Sequence, residues 1–502
     1  MKPRMDRCLL LSLLRLSNFC IIQSFSVTPK HLKSQPPFLQ PSSLCAATSQ
    51  NINDHVDDKA TPISKGDEDT NATSLSLDKH ELPKELVTKQ YFTVIDSNEP
   101  KNKRKWNILR RRKQQEGEKS NAQEVEKLRF DYDYDELILS NDESNAKKMT
   151  GIILIHPIGV GISKWFYHRL IKAMAQKYNT ASHDKNGNID DSYMIIVPDL
   201  LGSGTAVNPT TKFVDSNEEV QLQKLPLLNI TDWSSQISHL LNHVERQQYP
   251  HYEFNWCVVA NGGCSPIALQ VAAASCAQRQ QKSDDGDNKM TVQESANGIN
   301  AVTNVVLSSV PRLPFFLQPS NDPIKTAKSY TTLSGVPGKL FWWYSCRNNG
   351  SFIRKFSEKN LVANANNLGE NWQRNCFETA ISNGGKSKYG TFAFLAGALQ
   401  DGCYASLEYL KNTNVKIDVI KGQDVRRNNA KSWFWLKKKR SKKGHQSASK
   451  ENDDAAPTSG KTIVDYLKEN GNGGRERMIR GRISLAHEDA NGYAESLFDF
   501  LK

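Results

Sequence analysis

Two side chains able to act as nucleophiles, the thiol of Cys264 and the hydroxyl of Ser265, follow directly on a glycine pair, Gly262-Gly263. Before them the run Trp256-Cys257-Val258-Val259-Ala260-Asn261 has the length and apolar character of a buried strand, and after them a small-residue helix begins at Pro266. Far downstream the chain offers a carboxylate, Asp424, and an imidazole, His487. A nucleophile, an imidazole that takes its proton and a carboxylate that orients the imidazole are the parts of an acyl-transfer site. Each part also has a plain structural reading. Cys264 and Ser265 should point along the helix packing face, as small buried residues do. Asp424 has Arg426 and Arg427 beside it as salt-bridge partners, and a lone histidine such as His487 is more often a helix cap or a surface residue.

The elements that would position these groups alternate. Short, almost wholly apolar runs at 151–155, 194–197, 257–259 and 302–307, with an alternating one at 415–420, read as strands of a parallel sheet covered on both faces. Further strand candidates lie at 90–95 and 128–139. Helical patterns at 165–178, 233–246 and 266–278 fall between, which is the α/β signature. Polar inserts at 180–192, 279–300 and 437–460 read as surface loops. From Pro311 to about Tyr389 the alternation breaks into aromatic and helical pieces (Phe341-Trp342-Trp343-Tyr344, 352–361 and 372–381), as a helical cap inserted after a strand would.

Three motifs occupy strand ends. His156-Pro157-Ile158-Gly159-Val160-Gly161 resembles an H-G-x-G loop that donates an oxyanion-hole N–H. Pro157 has no N–H, so Ile158 or Gly159 has to be the donor. Pro198-Asp199-Leu200-Leu201-Gly202-Ser203-Gly204 resembles a D-x-x-G-x-G turn, in which Asp199 forms the turn. Ala260-Asn261-Gly262-Gly263-Cys264 falls on the G-x-S-x-G nucleophile elbow, with Gly262 in the position of the nucleophile.

In this order and at this spacing the motifs resemble those of the α/β-hydrolase superfamily, from about Leu128 to the C-terminus. The HPIGVG loop and the glycine elbow resemble a plastid and cyanobacterial branch of it. The resemblance implies an α/β-hydrolase fold: a mostly parallel sheet with helices on both faces, core segments at 90–310 and 390–502, and an inserted helical cap at 311–389. It also implies Ile158 and Gly263 as backbone donors to an oxyanion, with no cofactor. Its triad is off pattern at every position. Gly262 has no side chain, Asp424 arrives one residue early in its loop, and aligning Glu488 on the family's usual glutamate puts Ile483 in the histidine slot, with His487 close by. Two expectations follow. One is a plastid pseudo-hydrolase that binds a small apolar ligand or a protein partner. The other is an active hydrolase of an ester or lipid-like substrate that uses Cys264 or Ser265 with His487 and Asp424.

Composition narrows the remaining classes. The chain has 502 residues, 38% of them hydrophobic, and a formal net charge of +12. Its mean hydropathy of −0.60 means that long polar tracts dilute a normal core. Much of the positive excess sits in two runs, 101–113 and 437–443, which read as solvated loops because neither belongs to a nucleic-acid motif. A nucleic-acid partner is therefore not expected. Trp433-Phe434-Trp435-Leu436 ahead of the second run leaves peripheral membrane contact open. Nine cysteines without a CxxC or a Cys/His metal spacing match neither a disulfide framework nor a zinc site.

The N-terminus joins two targeting patterns. Lys2, Arg4 and Arg7 precede an apolar run, and no acidic residue falls between Asp6 and Asp54, where Ser, Thr, Lys and Pro are frequent. Residues 1–50 thus resemble the bipartite plastid leader of algae, with secretion and mitochondrial import as the alternatives. A polar linker at 51–89 is expected to follow.

Overall fold

The computed structural model describes residues 82–96, 127–140, 148–183, 192–212, 219–221, 225–284, 302–310, 322–400, 403–423, 462–471 and 473–502. In chain order the strands are β1 (Val87–Asp96), β2 (Lys127–Leu139), β3 (Lys148–Ile155), β4 (Tyr193–Pro198), β5 (Pro209–Lys212), β6 (Glu219–Gln221), β7 (Glu253–Asn261), β8 (Val302–Ser308), β9 (Lys416–Gly422) and β10 (Glu476–Ile479). The helices are α1 (His168–His183), α2 (Ile230–His243), α3 (Ser265–Asp284), α4 (Pro323–Ser334), α5 (Val336–Asn360), α6 (Asn371–Gly385), α7 (Lys388–Leu395), α8 (Cys403–Leu410), α9 (Ile463–Glu469) and α10 (Ala490–Leu501). Among the described residues no helix is long and apolar enough to cross a membrane. The basic runs at 101–113 and 437–443, the leader, residues 51–81 of the linker and Asp424 lie outside the described residues.

The sheet runs β10-β9-β8-β7-β3-β4-β2, and β1 pairs with β2 on its far side. From β10 to β4 every pairing is parallel, whereas β2 is antiparallel to β4 and to β1. With helices packed on both faces, this is the α/β-hydrolase fold. The unbroken apolar runs are explained by alternation in the pleat. Trp256, Val258 and Ala260 of β7 and Ile153 and Ile155 of β3 face the core under α2 and α3. Their neighbours Cys257, Val259, Ile152 and Leu154 face the core under α1 and α10.

Elements end where capping, rather than hydropathy, dictates. Helix α2 starts at Asn229, whose side chain accepts from the Thr231 and Asp232 amides while Asp232 returns a bond to the Asn229 N–H. Helices α1 and α3 run into the stretches expected as loops at 180–192 and 279–300, because backbone hydrogen bonding continues past the last apolar residue. Strand β1 likewise begins inside the expected linker, where pairing with β2 fixes the backbone. The β5–β6 hairpin and β10 carry too few residues to show a period.

Between β8 and α8 the chain leaves the sheet for the cap helices α4 to α7. Helix α5 bends at 347–350, where Asn348, Asn349 and Gly350 take left-handed backbone. The cap sits hard against the strand-end loops. A Cβ on Gly202, whose φ is +78°, would lie 2.6 Å from Gly390 Cα, and one on Gly390 would lie 2.4 Å from Gly202 O. Backbone thus meets backbone at a contact only two glycines permit. Gly202→Ala is expected to cost about 2–4 kcal/mol, the sum of left-handed strain and overpacking. Urea unfolding of the variant checks this, and unchanged stability would show that the cap does not approach so closely.

Candidate functional site

Strand β7 ends at Asn261, and Gly262 turns the chain with φ +55° into a short 3-10 turn that leads to α3. An L-residue pays about 1–2 kcal/mol for that conformation and glycine nothing. Space does not forbid a side chain here, since a Cβ on Gly262 would meet only Ser309 O, at 3.9 Å. The elbow therefore keeps its shape and its clearance but carries no nucleophile. Next to it the half-buried Gly263 lies under the Phe394 ring of α7, which a Cβ would meet at 2.8 Å.

The neighbouring nucleophiles point elsewhere. Cys264 is fully buried, and burial pushes its thiol up to about 12 even though the Ile158 N–H is directed at the sulfur and opposes the shift. A neutral thiol of this kind is a poor nucleophile. The Ser265 hydroxyl is buried and donates to Gly262 O at 2.7 Å, bracing the start of α3. Among the described residues no imidazole hydrogen-bonds to it.

His487 lies in the short turn Leu485–Glu488 and is buried, not a surface residue. Its Nε2–H donates to Leu368 O at 2.8 Å, and its ring packs edge-on to Trp372 at 4.7 Å. Nδ1 is buried with no hydrogen-bond partner, so neither ring nitrogen engages the elbow. Burial, and then the charge of Arg169, lowers its pKa from 6.5 to about 3. The imidazole is therefore neutral in the folded protein at ordinary pH.

Ile483, which the sequence aligns on the histidine slot, lies beside the elbow and engages it through its backbone. Its carbonyl accepts from Asn261 Nδ2 at 3.2 Å and from Ser309 Oγ at 2.6 Å, while its N–H and that of Ser484 donate to Leu361 O. Glu488 accepts from the Ala363 and Arg482 amides, each at 2.7 Å. Hydrogen bonds thus sew the C-terminal loop to the elbow, to the end of β8 and to the cap. Ser309 itself is left-handed at φ +52°, a conformation a non-glycine residue holds only when its surroundings fix it.

The other two motifs are structural in the same way. His156 Nε2 accepts from the Leu200 N–H and its Nδ1–H donates to Pro157 O, while burial lowers the imidazole pKa. Asp199 accepts from the Lys164 amide and from the Thr205 amide and hydroxyl, as a turn-former does.

One cluster was not anticipated from sequence. Asp135 is buried and accepts from Lys164 Nζ at 2.5 Å, His168 Nε2 at 2.8 Å and Thr88 Oγ1 at 2.7 Å. Burial pushes its carboxyl up, but the His168 hydrogen bond and the Lys164 charge outweigh that and hold it at about 2. The clue was the alternation Asp131-Tyr132-Asp133-Tyr134-Asp135, which makes every second residue of a two-sided strand a carboxylate. Among the described residues no group of three or more His, Cys, Asp or Glu could hold a metal ion.

No protein-family model matches the sequence, and no curated protein does. Solved structures similar to the chain include the epoxide hydrolase CorEH, at 10% identity, covering 74% of this chain and 95% of the other with a TM-score of 0.42. An esterase from Thermogutta terrifontis is 8% identical over 74% of this chain and 93% of its own, with a TM-score of 0.39. A peroxisomal α/β-hydrolase from Saccharomyces cerevisiae is 11% identical over 82% and 88%, also at 0.39.

The environment of His487 has a measurable consequence. Because its folded pKa lies below its unfolded value, the unfolded chain takes up the proton first. The stability gained by keeping the ring neutral is full above pH 6.5 and drains away as pH falls toward about 3. His487→Gln, which can still donate to Leu368 O, should flatten that acid loss by up to about 1.4 kcal/mol per pH unit. Urea titrations at pH 7 and pH 4.5 compare the two proteins, and parallel losses would show that the ring is not buried neutral.

Proposed function

We propose that this chain is a pseudo-hydrolase of the plastid, an α/β-hydrolase-fold protein that binds a small apolar ligand at the elbow and does not hydrolyse it. The observation that carries the reading is Gly262, a left-handed elbow residue with room for a side chain and none in place. The neighbours support it, since Cys264 is held neutral, Ser265 is bonded to Gly262 O and the carbonyl of Ile483 is bonded to Ser309. Phe394 over Gly263 gives the elbow an apolar wall. Residence in the plastid rests on the leader sequence, residues 1–50.

Covalent labelling tests the catalytic half of this reading. Treated with a fluorophosphonate and, separately, with iodoacetamide, the native protein should show no adduct at Cys264 or Ser265 by intact-mass and peptide analysis. A fluorophosphonate adduct lost in Ser265→Ala, or a rapid thiol adduct lost in Cys264→Ala, would overturn it. Organic extraction of the purified protein tests the binding half. An apolar compound released in stoichiometric amount is the expected result, and failure to release or take up any fluorescent fatty-acid probe would refute it.

A further inference from the structure

The outer side of the cap carries a surface the elbow does not use. On α5 the exposed residues Val336, Lys339, Trp343 and Arg347 follow one another at intervals of three and four, so they form one stripe on the solvent side of the helix. Val336 is 70% and Trp343 53% exposed. The Arg347 guanidinium lies 5.5 Å from the ring centres of both Trp343 and Tyr344, so cation and aromatics share the same patch. Lys386 and Lys388 stand near Lys339 at the end of α6 and the start of α7. Partial burial, and then repulsion from Lys339 and Lys386, lowers the Lys388 ammonium below its ordinary pKa. Among the described residues no carboxylate forms an ion pair with Lys339, Arg347, Lys386 or Lys388. Over residues 322–400 the sequence has ten Lys and Arg against four Asp and Glu.

Cations with no carboxylate against them among the described residues call for an anionic partner, and an exposed indole and aliphatic side chain beside them call for an apolar one. The headgroup zone of an anionic bilayer offers both at the same depth: phosphates for lysine and arginine, and an interface that favours tryptophan and tyrosine. An acidic protein would meet the charges but leave Val336 and Trp343 unexplained. The Lys386 ammonium donates to Asn208 Oδ1 at 2.8 Å, which leaves Lys339, Arg347 and Lys388 as the cations of the patch. We propose that the exposed face of α5, with Lys388 beside it, docks on an anionic lipid bilayer, with Trp343 entering the interface and these three cations facing lipid phosphates. The surface is separate from the elbow, so this proposal and the pseudo-hydrolase reading stand or fall independently.

Co-sedimentation of the full chain with phosphatidylcholine vesicles, with and without phosphatidylglycerol, tests it. Binding is expected only with the anionic lipid and should weaken as salt rises. Each cation near such a surface is worth about a five-fold change in partitioning, so Lys339→Gln/Arg347→Gln/Lys388→Gln should weaken binding by roughly a hundred-fold. Trp343→Ala should weaken it without changing the salt dependence. Lys339, Trp343 and Arg347 are exposed and Lys388 is half-buried, and thermal unfolding followed by circular dichroism checks that the variants fold. The proposal is overturned if the triple variant binds as the native protein does, which would assign binding to other basic segments, or if neutral vesicles bind equally. Retention on polyglutamate with no binding to vesicles would also overturn it, in favour of an acidic protein partner.

Discussion

Parallel strands deliver the chain to one edge of the sheet, and at Gly262 a single left-handed residue turns it back into helix α3. That reversal directs Cys264 into the core beside the Ile158 N–H, sets Ser265 to brace the first turn of the helix, and leaves Gly263 exposed to the cap. In a hydrolase the same turn holds its nucleophile under strain at the tip. Here the turn residue is a glycine, which takes that conformation without strain and brings no side chain. What remains is a rigid turn with clear space above it.

The loops around the elbow have been put to structural use. Asn261, Ser309 and the carbonyl of Ile483 tie together three chain segments that a catalytic site would keep free for an acid and a base. The cap presses on the same loops: Cys376 O against Gly161, Gly390 against Gly202 and Phe394 over Gly263. An enzyme with a cap usually has to open it to admit substrate and release product. Close backbone contacts of this kind favour one fixed arrangement of the cap.

Much of the fold was legible in the sequence because it is local. The apolar runs at 151–155 and 257–259 are strands β3 and β7, buried on both faces, and the glycine at position 262 sits at the strand-to-helix turn its motif foretold. Features that depend on distant partners were not legible. Nothing near His487 in the chain announces that Leu368 and Trp372, more than a hundred residues earlier, will enclose its ring. The Asp135 cluster joins β1, β2 and the loop before α1, and the Ile483 carbonyl works through its backbone, which residue type does not reveal.

The central claim is that the triad is missing at its base as well as at its nucleophile, and hydrolysis of p-nitrophenyl acetate by Gly262→Ser tests that most directly. The substitution places a hydroxyl in space the elbow already leaves open. With His487 bonded to Leu368 and His156 bonded to Leu200 and Pro157, no imidazole among the described residues is placed to activate that hydroxyl. The native protein and the variant should therefore both run at the rate of buffer, with no acylation burst. A burst in Gly262→Ser that titrates like an imidazole, or turnover by the native protein itself, would contradict the account.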